Sequence, residues 1–172
     1  GTFFLQRHAT GAIRERLLAP ALRGEVVGAI CMTEPDAGSD LLSMTTRAEL
    51  REGAWRISGR KTWVTSAPVA GMFTVFARTG DRELSIFLLE RSAPGLLVGR
   101  DIDKMGVRAS LTSEVSFDDA PATCILGERG AGMNSLREIL SEIRLMTAAL
   151  ALGVARAAFE DALAYSRQRR QF

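Results

Sequence analysis

Histidine and cysteine, the side chains that most often bind transition metals, are scarce in this chain. Its 172 residues include one histidine, His8, and two cysteines, Cys31 and Cys124. A single histidine excludes histidine-cluster metal sites and any histidine-dependent catalytic triad that lacks His8. The two cysteines match no zinc-binding spacing, and a core of this size needs no disulfide. The sequence therefore predicts no metal site and two reduced thiols, as is usual for a cytoplasmic protein.

The chain also lacks a long apolar segment and an excess of charge of one sign. It has 22 basic and 20 acidic residues, a net charge of +2, and 47% hydrophobic residues. This balance excludes a disordered tail and argues against a nucleic-acid partner. The most apolar run lies between Arg144 and Arg156 and has about eleven residues, whereas a membrane span needs roughly twenty. We therefore expect a folded protein without a membrane span.

Residues 1–24 and residues from Gly132 onward have the periodicity of helices. Apolar residues recur at three-to-four spacing up to Leu22, with Pro20 expected to break or bend that pattern. The same spacing returns after Gly132, where Ser141 is a candidate cap for a second, longer helix. That helix has little polar surface between Leu145 and Val154, so we expect it to be covered by partners.

The middle zone, residues 25–126, has the short alternating or apolar runs of β-strands. Runs of this kind occupy residues 26–32, 45–50, 54–58, 61–65, 72–77, 84–89, 95–98 and 114–117. Turn residues at Arg51–Gly53 and Thr79–Asp81 predict hairpins. Strands without helices between them favour an antiparallel sandwich or barrel. The predicted class is thus α+β, with a β-domain between helical segments.

The strand-to-turn segment Cys31–Asp40 is the first candidate for chemistry. It contains the hydroxyls of Thr33 and Ser39, and backbone N–H groups near Ala37 and Gly38 could bind an anion. Alternatively, it is an ordinary turn closed by aspartate side chains.

The strand Lys61–Ser66 is the second candidate. Trp63 and Thr65 would lie on one face of a strand, where an indole and a hydroxyl could bind a planar heterocycle. Alternatively, Trp63 is a core residue. Two further segments are weaker: Gly127–Gly132 lacks the glycine order of a dinucleotide-binding loop, and Arg167–Arg170 could bind phosphate or simply stabilise a helix end.

Taken together and in this order, the motifs resemble those of the acyl-CoA dehydrogenase family. The segment Thr33–Asp40 carries every fixed letter of that family's T-E-P-x-A-G-S-D signature, and Gly59–Thr65 resembles its glycine-x-lysine-x-aromatic strand. Lys104–Ser110 resembles its K-x-G-x-R-x-S segment, and Arg169–Phe172 its R-x-x-F motif. The resemblance covers nearly the whole chain.

The resemblance implies a domain order and an activity. Residues 1–24 would end an N-terminal helical domain, residues 25–126 would form the flavin-binding middle β-domain, and residues 127–172 would begin a C-terminal helical bundle. The chain would be less than half of a subunit. The activity would be FAD-dependent α,β-dehydrogenation of an acyl-CoA thioester, in a homodimer or homotetramer that passes electrons to an acceptor such as an electron-transfer flavoprotein.

The resemblance also assigns roles to individual residues. Met32 and Thr33 would face the flavin pyrimidine edge, Trp63 would lie against the ring, and Thr65 would donate to flavin N5. Ser39 would lie near the diphosphate and the thioester-carrier arm. Other roles fall in the helical segment: Arg169 and Phe172 would reach the cofactor of a neighbouring subunit, while Ser141 and Arg144 would lie near the carrier arm.

The catalytic base is the one role that the sequence leaves unfilled. In the family it is a glutamate, either far along the C-terminal domain or directly before the arginine that matches Arg144. Ile143 occupies that second position. Glu142 is adjacent, but one helical residue is a rotation of about 100°. We therefore expect the base beyond Phe172, with Glu142 as the only candidate within the chain.

The sequence is compatible with other functions as well. The same scaffold could serve an acyl-carrier-protein thioester dehydrogenase, an oxidase or a flavin monooxygenase, which differ in carrier contacts and oxygen access. A truncated, catalytically inert fragment is the non-enzymatic alternative. The missing base and the apolar helix favour the inert fragment for the isolated chain, whereas the intact flavin motifs favour the enzyme for its parent.

Overall fold

The computed structural model describes residues 2–172, which form two compact units. One unit extends to Ser135 and the other is Leu136–Phe172. The first unit begins with short helical segments: α1 (Thr2–His8), α2 (Gly11–Ile13), a π-helical turn (Arg14–Leu18) and α3 (Ala19–Leu22). The π-helical turn ends at Leu18, two residues before Pro20, which lacks the N–H that an α-helical ladder would use. The predicted irregularity at Pro20 is therefore present.

Eight strands form the sheet of the first unit. They are β1 (Gly28–Cys31), β2 (Arg47–Arg51), β3 (Ala54–Thr65), β4 (Met72–Gly80), β5 (Glu83–Glu90), β6 (Leu96–Asp101), β7 (Thr112–Pro121) and β8 (Cys124–Ile125). Their order is β6-β7-β3-β2-β4-β5-β8, with β1 paired to β4. The α+β class is confirmed, and β8 is a short strand that the sequence did not indicate.

Pairing within this sheet is antiparallel with two exceptions. β1 runs parallel to β4, with Gly28 opposite Met72, and β2 meets β4 in one parallel contact, Arg47 opposite Arg78. These two parallel contacts are additions to the antiparallel arrangement that the sequence predicted. A parallel pair needs a long crossover, and the chain between β1 and β4 supplies one, since it contains both β2 and β3.

Two hairpins confirm the turns predicted from the sequence. Arg51 pairs with Ala54 around Glu52 and Gly53, which both have positive φ, as a two-residue I′ turn requires. Gly80 pairs with Glu83 to close the β4–β5 hairpin. All but the ends of β4 and β5 is buried. These strands supply three of the largest fully buried side chains, Phe73, Phe76 and Phe87.

Strand β3 is longer than the sequence indicated. The two predicted runs, 54–58 and 61–65, are one twelve-residue strand. Gly59 joins them in a conformation with φ +148°, and a Cβ there would lie 2.5 Å from Thr46 Oγ1. Glycine therefore permits a close backbone approach that would exclude a larger residue.

Helix α4 (Gly132–Gln168) is a single helix of 37 residues. Ser141 lies inside it, and its hydroxyl donates to the Glu138 carbonyl oxygen at 2.6 Å. The expectation that Ser141 caps a separate helix is wrong, because a serine hydroxyl in a helix interior can satisfy itself on the preceding turn.

The second unit exposes many large apolar side chains of α4. They are Leu145, Met146, Leu150, Leu152, Val154, Phe159 and Tyr165. Large exposed apolar surfaces usually mark an interface, and the coverage of this helix by partners remains a prediction. Across residues 2–172, no helix combines the length and the apolar character that crossing a membrane requires.

Candidate functional site

Four residues predicted to bind a cofactor lie around one cavity in the first unit. The cavity has a volume of about 320 Å³, and its lining includes Met32, Thr33, Trp63 and Thr65. The other lining residues are Gly28, Ile30, Thr62 and Ser66. Strand β1 with the residue pair after it forms one wall, and the end of β3 forms the other. Trp63 and Thr65 thus lie close to Thr33, as the sequence predicted for residues that address one planar ligand.

An irregularity in β3 turns Trp63 toward this cavity. The register between β3 and β7 shifts between Lys61 and Val64, and Trp63 adopts a left-handed φ of 56°. Lys61 is fully buried, whereas the indole is 59% exposed. A regular strand would place both side chains on the same face, and a bulge changes that direction. The alternative that Trp63 is a core residue is therefore wrong.

The turn after β1 is closed by its own backbone. Glu34 N–H donates to the Ala37 carbonyl at 2.8 Å, and Ala37 N–H donates to the Glu34 carbonyl at 3.3 Å. The expectation that the Ala37 amide is open to an anion is wrong, because that donor is already bonded. The Asp40 carboxylate accepts from Leu42 N–H at 3.2 Å, which agrees with an aspartate-closed turn. Ser39 is exposed on this turn and is not among the residues that line the cavity.

Lys61 and Glu34 form a buried ion pair behind the cavity, which the sequence did not predict. Lys61 Nζ lies 3.0 Å from Glu34 Oε1, and their side chains are 0% and 4% exposed. The same Nζ donates to the Met32 carbonyl oxygen at 3.0 Å. Lys61 follows Gly59 and Arg60 in a strand whose alternation is irregular, so the local pattern does not indicate that its side chain points inward.

Hydrogen bonds keep the Glu34 carboxylate ionised despite its burial. Burial raises the pKa of Glu34, but hydrogen bonds from Thr46 and Thr45 and the charge of Lys61 outweigh it and lower the pKa to about 2. Thr45 N–H donates at 2.7 Å and Thr46 N–H at 2.9 Å. Burial lowers the pKa of Lys61, and the Glu34 charge opposes that shift. The pair therefore ties the turn after β1 to β3 and to the residues that lead into β2.

We expect acid to weaken the fold through Glu34. Its folded pKa of about 2 lies below an unfolded value of about 4.3. The unfolded chain therefore takes up the proton first as the pH falls. The stabilisation is fully present above about pH 4.3 and is lost as the pH falls through about 2, with a total on the order of 3 kcal/mol. Urea unfolding at pH 7, 4 and 2.5 measures this loss, and Glu34→Gln is the control because it removes only this carboxylate's share. An equal acid sensitivity in the two proteins would contradict the assignment.

The remaining predicted residues belong to the second unit. Ser141 and the exposed Arg144 lie on α4, and Arg169 and Phe172 follow its last turn, both exposed. Arg169 N–H still donates to the Tyr165 carbonyl at 2.9 Å. Their binding roles remain predictions, as does the role of Ser39. Glu142 is exposed on α4, next to the half-buried Ile143.

No group of histidine, cysteine, aspartate or glutamate side chains within residues 2–172 is arranged to hold a metal ion. Both cysteines are free thiols; Cys31 is buried, and burial raises the pKa of its thiol to about 12. The donors around the cavity are instead hydroxyls and backbone groups, beside an exposed indole. Such a set can hold a flat, largely apolar ring with a polar edge.

Comparison with known proteins identifies two domains in this chain. The family model described as acyl-CoA dehydrogenase, middle domain, matches residues 29–120, and the C-terminal domain model of the same family matches residues 130–172. The first match covers β1 to β7 almost completely, and with them the cavity walls. The second begins just before α4.

Individual relatives agree with these matches. The chain is 55% identical to benzylmalonyl-CoA dehydrogenase of Aromatoleum aromaticum, over 100% of this chain and 47% of that protein. The solved butyryl-CoA dehydrogenase of Megasphaera elsdenii superimposes with a TM-score of 0.88 at 36% identity, over 98% of this chain and 46% of that one. An FAD complex of PigA superimposes with a TM-score of 0.92 at 32% identity, over 99% of this chain and 46% of that one.

The chain therefore spans about half the length of the relatives that it matches. Within that span the two family models match residues 29–120 and 130–172 in order along the chain. This chain belongs to the acyl-CoA dehydrogenase family.

Proposed function

We propose that this chain is the flavin-binding part of a longer enzyme subunit that oxidises an acyl-CoA thioester to its α,β-unsaturated product. The observation that carries the proposal is the convergence of Thr33, Trp63 and Thr65 on one cavity. The two hydroxyls and the indole come from separate motifs. One planar ligand between β1 and β3 would explain why these motifs place the three groups around the same cavity.

The cavity residues suit the isoalloxazine ring of FAD. The Trp63 indole is 59% exposed, and exposing this apolar surface to water costs free energy. Stacking of a flat ring against the indole would remove that cost. Met32 and Thr33 would hold the pyrimidine edge, Trp63 would lie against the ring, and Thr65 would donate toward N5. Ser39, on the adjacent turn, would lie near the diphosphate. Arg169 and Phe172 would contact the FAD of a neighbouring subunit, which makes a homodimer or homotetramer part of the proposal.

When bound, FAD supplies the acceptor for a hydride from the β-carbon of the substrate. The chain's own contribution is to fix donors where negative charge collects as the flavin is reduced, near N1 and O2. The Thr33 hydroxyl and the backbone of Met32 and Thr33 would provide those donors. Electrons would then leave to an acceptor such as an electron-transfer flavoprotein.

Removal of the α-proton needs a carboxylate that the chain does not place at the expected position. Ile143 stands directly before Arg144, and Glu142 is rotated from it by about 100° on the helix. Ser141 and Arg144 would instead help to orient the carrier arm of the substrate. We therefore propose that the base lies in a part of the subunit outside residues 1–172.

Coenzyme A is the proposed carrier because the similar proteins of known activity are named for CoA thioesters. An acyl-carrier-protein thioester dehydrogenase, an oxidase or a flavin monooxygenase would use the same cavity with different carrier contacts or oxygen access. An inert fragment would lack flavin binding. Flavin absorbance separates these possibilities. It reports whether flavin binds, which thioester reduces it, and whether oxygen or another acceptor reoxidises it.

The proposal is tested on the full-length protein loaded with FAD. We expect anaerobic addition of an acyl-CoA to bleach the flavin absorbance, and an artificial electron acceptor to restore it. Thr33→Val and Thr65→Val should each weaken FAD binding about fivefold to tenfold, since each removes one hydrogen bond of roughly 1 kcal/mol. Thr123→Val is the control, because Thr123 bonds to Glu90 away from the cavity. Unchanged FAD affinity in both cavity variants, or a flavin that no acyl-CoA reduces, would refute the proposal.

A further inference from the structure

The ammonium group of Lys61 is held rigidly behind one wall of the cavity. Its Nζ donates to three acceptors: the Met32 carbonyl oxygen at 3.0 Å, Glu34 Oε1 at 3.0 Å and Met44 Sδ at 3.4 Å. Three acceptors match the three donors of an ammonium group. The side chain is 0% exposed, so this charge has no alternative partner in water and its position is fixed.

One peptide group connects this cation to the cavity. The Met32 carbonyl and the Thr33 N–H belong to the same peptide, and no peptide bond among residues 2–172 is cis. In a trans peptide these two groups point in opposite directions. The carbonyl points to buried Lys61, so the Thr33 N–H points away from it, and Thr33 lines the cavity.

The next peptide along the chain is also fixed. The Thr33 carbonyl accepts a hydrogen bond from Thr62 N–H at 2.8 Å. Both peptides that flank the Thr33 α-carbon are therefore tied to β3, one through the Lys61 side chain and one through the Thr62 backbone. The direction of the Thr33 N–H follows from contacts inside the protein and needs no ligand to impose it.

A cation at the carbonyl end strengthens the donor at the other end of a peptide. The charge draws electron density toward the oxygen, and hydrogen bonds in a chain reinforce one another in a medium of low dielectric constant. The effect is largest when the acceptor on the N–H side becomes negatively charged, since charge-assisted hydrogen bonds are roughly twice as strong as neutral ones.

We propose that Lys61 is a positioning residue that polarises the Met32–Thr33 peptide, so that the cavity stabilises negative charge on its ligand. The proposal rests on the proposed function, in which that ligand is FAD and the charge appears on reduction. Lys61 would raise the reduction potential of the flavin without touching it. Glu34 would moderate the effect, because its carboxylate lies 3.0 Å from the ammonium group and partly cancels its field.

The two members of the pair thus have opposite expected effects. In Lys61→Met the negative charge of Glu34 remains, so reduced flavin is destabilised relative to oxidised flavin. In Glu34→Gln the positive charge of Lys61 remains, so reduced flavin is stabilised. A purely structural pair would behave differently, because loss of either member would loosen the same turn and shift the potential in the same direction or not at all.

The test is the midpoint potential of FAD in the full-length protein, measured by dye equilibration at pH 6, well below the ordinary lysine pKa of about 10.4. We expect Lys61→Met to weaken binding of reduced FAD about tenfold more than that of oxidised FAD, which lowers a two-electron potential by about 30 mV. Glu34→Gln should raise it. Arg60→Met is the matched control, because it removes a neighbouring positive charge that is exposed and paired with Glu114 at 2.8 Å, and its potential should equal the parent's.

Several outcomes would overturn the inference. Shifts of the same sign in Lys61→Met and Glu34→Gln, or no shift in either, would leave the pair a purely structural role. If Lys61→Met fails to fold, the double variant Lys61→Met/Glu34→Gln replaces it, because that protein carries no unpaired buried charge. Its midpoint potential should lie below the parent's. An equal or higher potential refutes the inference. A parent protein that binds no FAD would refute the proposed function itself, which distinguishes the two failures.

Discussion

Replacing Lys61 by methionine should lower the free energy of unfolding by about 3–5 kcal/mol, because one partner of a buried ion pair then stays charged without compensation. Glu34 would keep its bonds from Thr45 and Thr46 but lose the cation at 3.0 Å. Methionine fills a similar volume, so the loss comes from charge and not from a cavity. The turn that carries Thr33 would lose its tie to β3 at the same time.

Urea unfolding of the single and double variants measures this effect. The double variant Lys61→Met/Glu34→Gln should be clearly more stable than the sum of the single losses indicates, since neither charge is left alone. Arg60→Met should change stability by only about 0–1 kcal/mol, the usual value for an exposed pair. A loss below about 1 kcal/mol in Lys61→Met would contradict the burial and pairing described for Lys61.

The second large effect concerns turnover by residues 1–172 alone. We expect acyl-CoA oxidation to be at least about 100-fold slower than in the full-length protein, since a general base contributes roughly that much or more. FAD binding should also be weak, because the proposed contacts of Arg169 and Phe172 come from a correctly placed neighbour. The exposed apolar side chains of α4, from Leu145 to Val154, should drive the isolated chain to associate.

An assay with FAD, an acyl-CoA and an artificial electron acceptor checks this expectation, with the full-length protein as positive control. Light scattering on the same samples reports association. Turnover of the isolated chain at a rate near that of the full-length protein would mean that a base lies within it. Glu142→Gln would then be the decisive variant, and our expectation that Glu142 faces away from the substrate would be wrong.

Features that depend on neighbouring residues were predictable from the sequence. The Glu52–Gly53 turn follows from a glycine at a position that needs positive φ between two alternating runs. The apolar runs that became β4 and β5 could only be buried strands, given their length and their flanking turn residues. The proximity of Thr33 to Trp63 and Thr65 followed from motif resemblance, because two motifs that bind one ring must meet in space.

Features that depend on distant parts of the chain were not predictable. β1 pairs with residues 72–75 of β4, whereas β2 meets β4 only at Arg78, and no local pattern predicts this division. The bulge near Trp63 reverses the direction of side chains, so period-two reasoning places Lys61 and Trp63 on one face when they lie on opposite faces. The Lys61–Glu34 pair was missed for the same reason. Serine is favoured at a helix start, so the local pattern predicts a cap at Ser141, whereas in the interior of α4 its hydroxyl donates to the Glu138 carbonyl.

FAD bound against Trp63 should quench the emission of that indole, so tryptophan fluorescence tests the proposed binding site directly. The chain has two tryptophans, Trp55 and Trp63, which lie on β3 about 26 Å apart at the usual rise of a strand. In full-length Trp55→Phe protein, Trp63 is the reporter, and in Trp63→Phe protein it is Trp55. Any tryptophan outside residues 1–172 is also replaced by phenylalanine in both proteins, so that each protein contains a single tryptophan. We expect FAD to quench Trp63 almost completely and Trp55 much less. Flavin binding that leaves Trp63 emission intact, or that quenches Trp55 equally, would place the cofactor elsewhere and contradict the account.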